Sequence, residues 1–105
     1  MYFVYVITNK AKNVLYVGVT NNLSRRVSEH YFKRGCRNTF AGRYSCFNLL
    51  YFEEFSNAKS AIAREKEIKG WVRKKKNELI RKKNPEFLFL NKFLFDVWPP
   101  VELPE

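Results

Sequence analysis

Two cysteines, Cys36 and Cys46, are too few for a disulfide framework and lack the C-x-x-C spacing of a zinc site, so neither cross-links nor a thiolate centre is expected to organise this chain. Acidic residues are also scarce: ten Asp and Glu stand against twenty Lys and Arg, a formal net charge of +10 at pH 7 and a pI near 9.8. That balance makes a polyanion the simplest partner, nucleic acid first and an anionic membrane surface second. No apolar run approaches the length of a membrane span, and the start at Met1 shows neither a basic n-region nor an A-x-A type cleavage site. The expectation is a cytoplasmic protein with no membrane partner. Internal repeats and low-complexity linkers are absent as well.

What is present suits a folded domain. With 46% hydrophobic and 17% aromatic residues among 105, the chain has material for one modest core and no more than one. Its first eighteen residues carry the strongest local signal. Tyr2 to Ile7 and Val14 to Val19 read as strands, and Thr8 to Asn13 as the turn of a hairpin. Pairing Ile7 with Val14 predicts Tyr5 opposite Tyr16 and Phe3 opposite Gly18. Val4, Val6, Leu15, Val17 and Val19 then form an aliphatic core face, with both tyrosines on the other. Gly18 would leave space beside Tyr16 for a close approach to the sheet. Taken alone, the tyrosines are more simply read as a stabilising aromatic cross-strand pair.

Thr20-Asn21-Asn22 offers capping oxygens for a helix from Leu23 to about Phe32. Leu23, Val27 and Tyr31 form its buried stripe, Arg26 and His30 lie together along the edge, and Arg25, Ser28 and Glu29 point away. Lys33 to Tyr44 reads as a long surface loop bearing Lys33, Arg34, Arg37 and Arg43. Asn48 to Phe55 is a third strand, and Ser56-Asn57 opens a helix from Ala58 to about Gly70. On it Ala58, Ala61, Ile62 and Ile68, continued by Val72, span an arc of about 120° with Glu65 in its middle. A carboxylate placed there needs a cation, a metal ion or water. A salt bridge to Lys69 or Arg26 would serve as well as a metal, while Glu67 faces solvent.

Trp71 to Lys83 reads as a third helix, densely basic. With the Lys33 to Arg43 loop, Lys69, Arg73, Lys74, Lys75 and Lys76 are expected to contact phosphates. Asn84-Pro85 ends the helix. The tail from residue 88 to 105 is apolar and then Pro-containing, with Pro99, Pro100 and Pro104. It either covers the sheet as a strand or short helix, or forms a patch from Phe87 to Trp98 for a protein partner or self-association.

Two tyrosines, Gly18, an Arg and His pair and an inward Glu in a small basic α+β domain together resemble the GIY-YIG nuclease superfamily. Phe3-Val4-Tyr5 stands where that family has GIY, and Tyr16-Val17-Gly18 where it has YIG. Arg26 and His30 match the helix that follows, and Glu65 matches the family's metal-binding glutamate. The likeness runs from Met1 to about Phe87 and is closest to small stand-alone bacterial members. Phe3 replaces the first glycine, and the Phe-rich tail has no counterpart.

The resemblance implies a domain over residues 1–87 with a three-stranded antiparallel sheet flanked by helices, in the order β-β-α-β-α-α, and a tail over 88–105 packed on it or extending it. It implies one divalent ion, Mg²⁺ or Mn²⁺, held by Glu65. Arg26 would bind a non-bridging phosphate oxygen. Tyr5 or Tyr16 would position or deprotonate the attacking water with a phenol pKa drawn down by cations, and His30 would assist proton transfer. Asn84 and Asn77 are both candidates for the family's catalytic asparagine. The resulting function is a metal-dependent endonuclease acting on DNA ahead of RNA, on branched or damaged structures. The alternative is a basic nucleic-acid-binding module of the same fold that does not cut, acting within a larger complex.

Overall fold

A computed structural model describes residues 1–102; Pro104 lies outside the described residues. The two N-terminal runs form β1 (Tyr2–Thr8) and β2 (Leu15–Thr20), and β1 also pairs antiparallel with β3 (Asn48–Phe55), giving a three-stranded sheet of order β2-β1-β3. The register differs from the expected one by two residues. Tyr5 faces Gly18, Ile7 faces Tyr16 and Thr8 faces Leu15. The turn sets this offset: the Asn9 carboxamide oxygen accepts from the amides of Asn13 and Val14 at 3.1 and 3.2 Å, and the Thr8 hydroxyl donates to the Val14 carbonyl at 2.7 Å. An even offset preserves the faces. Val4, Val6 and Val17 still pack together on one side, with Leu50, Tyr51, Ala61, Ile68 and Ile80, while Tyr5 and Ile7 join Leu23, Val27, Ala41 and Leu49 on the other.

Asn22 caps α1 (Leu23–Phe32) by accepting from the Arg25 amide. Ser28 is buried rather than outward, and Glu29 is drawn in beside Arg26 rather than left to solvent. The basic segment that follows is not all loop. Thr39 caps a four-residue helix, α2 (Phe40–Arg43), and Ala41 and Gly42 are buried.

Asn57 caps α3 (Ala58–Lys69), whose buried positions are Ala61 and Ile68. Ile62 is 42% exposed and Val72 71%, so the buried arc is narrower than the helical wheel suggests. Val72 leaves it because α3 ends at Lys69, and Val72 turns extended (ψ 158°) to start α4 (Arg73–Lys83), two residues later than expected. Arg73 donates to the carbonyls of Lys12 and Asn13 at 2.8 and 3.0 Å and to Asn77 at 3.1 Å, so its guanidinium fastens the hairpin turn to α4.

The C-terminal segment folds back on β3. The Leu90 amide donates to the Leu49 carbonyl at 2.8 Å, and the Leu49 amide donates to the Asn91 side chain at 2.7 Å. A short α5 (Asn91–Leu94) follows, and the ring of Trp98 meets Tyr31 edge-on at 5.4 Å.

Candidate active site

β1, β2 and α1 converge on one point. Tyr5 is buried on the central strand, Tyr16 is half-buried on β2, and His30 is buried on the last turn of α1. The Tyr5 hydroxyl and His30 Nε2 share a hydrogen bond of 2.8 Å. The Tyr16 ring lies edge-on to the His30 ring at 5.3 Å and tilted to the Tyr5 ring at 6.4 Å. Gly18 makes room for this, though not for an outside molecule: a Cβ on it would come within 2.5 Å of Tyr5 Cζ. The space expected beside Tyr16 is filled by the Tyr5 ring end.

Tyr16, Arg26, His30, Lys33, Thr39, Phe40 and Ala41 line a cavity of about 110 Å³. Arg26 is held by Glu29 at 3.0 Å, and Glu29 also pairs with Arg25 at 3.4 Å. Burial works against the Arg26 charge, but Glu29 and the two phenols outweigh it and raise the guanidinium pKa. Burial likewise opposes the Glu29 carboxylate, and the two arginines overcome it, lowering the carboxyl. Burial, with Arg26 and Lys33 adding to it against Glu29, pushes the His30 imidazole down to about 4. Burial pushes the Tyr5 phenol well above its ordinary value despite Arg26. That direction is opposite to the lowered phenol the resemblance implies for Tyr5 or Tyr16.

Glu65 sits on α3 with a side chain only 13% exposed and accepts from Lys69 Nζ at 2.9 Å. The same ammonium stands 5.8 Å from the centre of the Tyr16 ring, linking Glu65 to the cavity. Arg26 is not its partner. Among the described residues no group of three or more His, Cys, Asp or Glu could hold a metal. One half-buried carboxylate fits Mg²⁺ or Mn²⁺, hard ions that keep most of their waters and take further ligands from phosphate. It does not fit a dedicated protein cage.

Both expected asparagines are committed elsewhere. Asn84 donates to the carbonyls of Leu50 and Leu88 and accepts from the Leu88 amide, each at 2.9 Å, and Asn77 accepts from Arg73. Thr39, Phe40 and Ala41 were not singled out from the sequence; the Thr-led segment before Gly42 is a capping signal that would have found them. Of the basic residues, Lys33 lines the cavity, Arg34 stacks on Tyr31 at 3.9 Å, and Arg37, Arg43, Lys74 and Lys75 are exposed. Lys76 is half-buried. A larger cavity, about 430 Å³, lies at β3 between Leu50, Phe52, Lys83 and Leu90 and holds none of the site's tyrosine, arginine or histidine side chains.

This hairpin and helix, bringing two tyrosines, an arginine and a histidine to one cavity, define a nuclease-like α+β domain. The GIY-YIG catalytic domain model matches residues 1–78, and the chain belongs to that family. It is similar to a UPF0213 protein of Clostridium perfringens, 37% identical over 84 residues, covering 80% of this chain and 87% of that one. A UPF0213 protein of Natronomonas pharaonis is 39% identical over 79 residues, covering 75% and 89%. The solution NMR structure of a UPF0213 protein from Bacillus halodurans matches with a TM-score of 0.53 at 27% identity, over 90% of this chain and 98% of that one. No helix among the described residues is long and apolar enough to cross a membrane.

Proposed function

We propose that the protein is a metal-dependent endonuclease that hydrolyses DNA phosphodiester bonds, with branched or damaged structures as its substrates. The observation that carries this reading is the meeting of Tyr16, Arg26 and His30 around one cavity, with Glu65 tied to it through Lys69. Arg26, held at one edge by Glu29, presents its remaining donors to a non-bridging oxygen, and the fork suits a phosphate better than an ammonium does. Tyr16, which lines the cavity, is the phenol placed to orient the attacking water; Tyr5 acts behind it by fixing His30. Burial keeps the His30 imidazole uncharged at neutral pH and makes it a weak base, so its part is to relay a proton with the Tyr5 hydroxyl that shares its Nε2 rather than to store one. Glu65 would hold the divalent ion, which when bound supplies stabilisation of charge on the phosphoryl oxygens.

The test is cleavage of labelled single-stranded, duplex, flapped and branched DNA and RNA, with Mg²⁺, Mn²⁺ or chelator, by wild type and Glu65→Ala. Metal-dependent cutting should fall by at least about a hundredfold in the variant, as for loss of a strong electrostatic contributor, while binding persists. Binding without cutting on every substrate would instead favour a non-cleaving module of the same fold.

A further inference from the structure

Resting on that reading, we propose that Lys69 is a built-in competitor for the divalent ion: its ammonium neutralises Glu65 until a substrate phosphate takes the ammonium over, so that metal and nucleic acid bind cooperatively. Glu65 is nearly enclosed and Lys69 is 48% exposed, one helical turn further along α3, with Nζ 2.9 Å from the carboxylate. Glu preceding Lys by four residues is the favourable order for such a pair. The neighbouring arginines are engaged elsewhere. Arg26 pairs with Glu29, and Arg64 pairs with Glu53 at 2.9 Å and Glu67 at 2.7 Å.

A divalent ion reaching Glu65 must displace this ammonium, and two cations then stand side by side at a half-buried carboxylate. Their repulsion is large at such separations unless an anion lies between them. A phosphodiester in the cavity is that anion. Lys69 remains near it after leaving Glu65, because the Tyr16 ring lies within cation–π range of its ammonium at 5.8 Å. Linkage makes the effect reciprocal: phosphate strengthens metal binding by the same factor as metal strengthens phosphate binding. Lys69 is thus a positioning residue for charge at the site.

The experiment is calorimetric titration of the whole protein with Mn²⁺, alone and with a fully phosphorothioate oligonucleotide, corrected for Mn²⁺ binding to the oligonucleotide itself. For Lys69→Met, Mn²⁺ alone should bind about tenfold more tightly than to wild type, and the tightening that the oligonucleotide produces in wild type should vanish, a coupling in the usual allosteric range. Lys69→Arg should restore the competition. Lys66→Met, which removes an exposed charge from the same helix that forms no ion pair with Glu65, should leave Mn²⁺ affinity within about twofold of wild type, since solvent and salt screen an exposed charge. Unchanged or weaker Mn²⁺ binding by Lys69→Met, or equal tightening by Lys66→Met, overturns the inference while leaving the nuclease reading in place. Undiminished Mn²⁺ binding by Glu65→Ala overturns both.

Discussion

Tyr5 and His30 face each other inside the protein, and their burial sets measurable consequences for single substitutions. In the unfolded chain an imidazole takes up its proton near pH 6.5, whereas His30 in the fold resists until about pH 4. Between those values the unfolded state binds more protons, so native stability falls as pH drops through that window and levels off below it. Denaturant midpoints should show a loss on the order of 3 kcal/mol across it in wild type, and His30→Gln should flatten that part of the curve. Gly18 offers a second check. A methyl group there overlaps the buried Tyr5 ring end, so Gly18→Ala should cost about 1–3 kcal/mol in urea unfolding, as overpacking does. A Tyr5→Phe background should leave most of that cost in place, since the clashing ring carbon Cζ remains. The types of these residues were legible in the sequence, and their partners were not. Alternation alone places Tyr5 and Tyr16 on one face in either register, but only the Asn9 side-chain bonds choose Gly18 as the neighbour of Tyr5.

Elements whose limits are written in local chemistry were readable from the chain. Asn22 and Asn57 cap α1 and α3 where capping residues precede an apolar period, and β3 coincides with its apolar run. The four-residue helix α2 escaped, and α5 was only one of the alternatives open for the tail, because so short a helix has no periodicity and tertiary contacts hold it. Asn91 illustrates this. Its carboxamide is buried, accepting from the Leu49 amide at 2.7 Å and donating to the Phe47 carbonyl at 3.0 Å, both more than forty residues away. Asn91→Ala should strand both backbone groups and cost about 2–6 kcal/mol, at about 1–3 kcal/mol for each unsatisfied group; the readout is the thermal or urea transition. Loss of less than 0.5 kcal/mol would show that water replaces the side chain without penalty.

At the scale of the molecule, the net charge of +10 is unevenly spread. From Arg73 to Lys83, α4 carries seven cations and the single acid Glu78, and its exposed lysines stand apart from the cavity that holds Tyr16. Their expected role is sequence-independent grip. Affinity for duplex DNA should fall linearly with salt on logarithmic axes, and Lys74→Gln with Lys75→Gln should reduce that slope by about 1–2 units while weakening all sequences alike. A change confined to particular sequences would count against backbone contacts. One further consequence follows from the bond between Leu90 and Leu49. The outer edge of β3 is stitched at Leu49 by residues made 41 and 42 positions later. At about 5–20 residues per second of synthesis, roughly 2–8 s separate the emergence of the strand from that of its cover. During those seconds the nascent chain presents an open strand edge on the ribosome, a template for wrong pairing. Crowded polysomes, rather than the finished protein, are where this sequence is most exposed to aggregation.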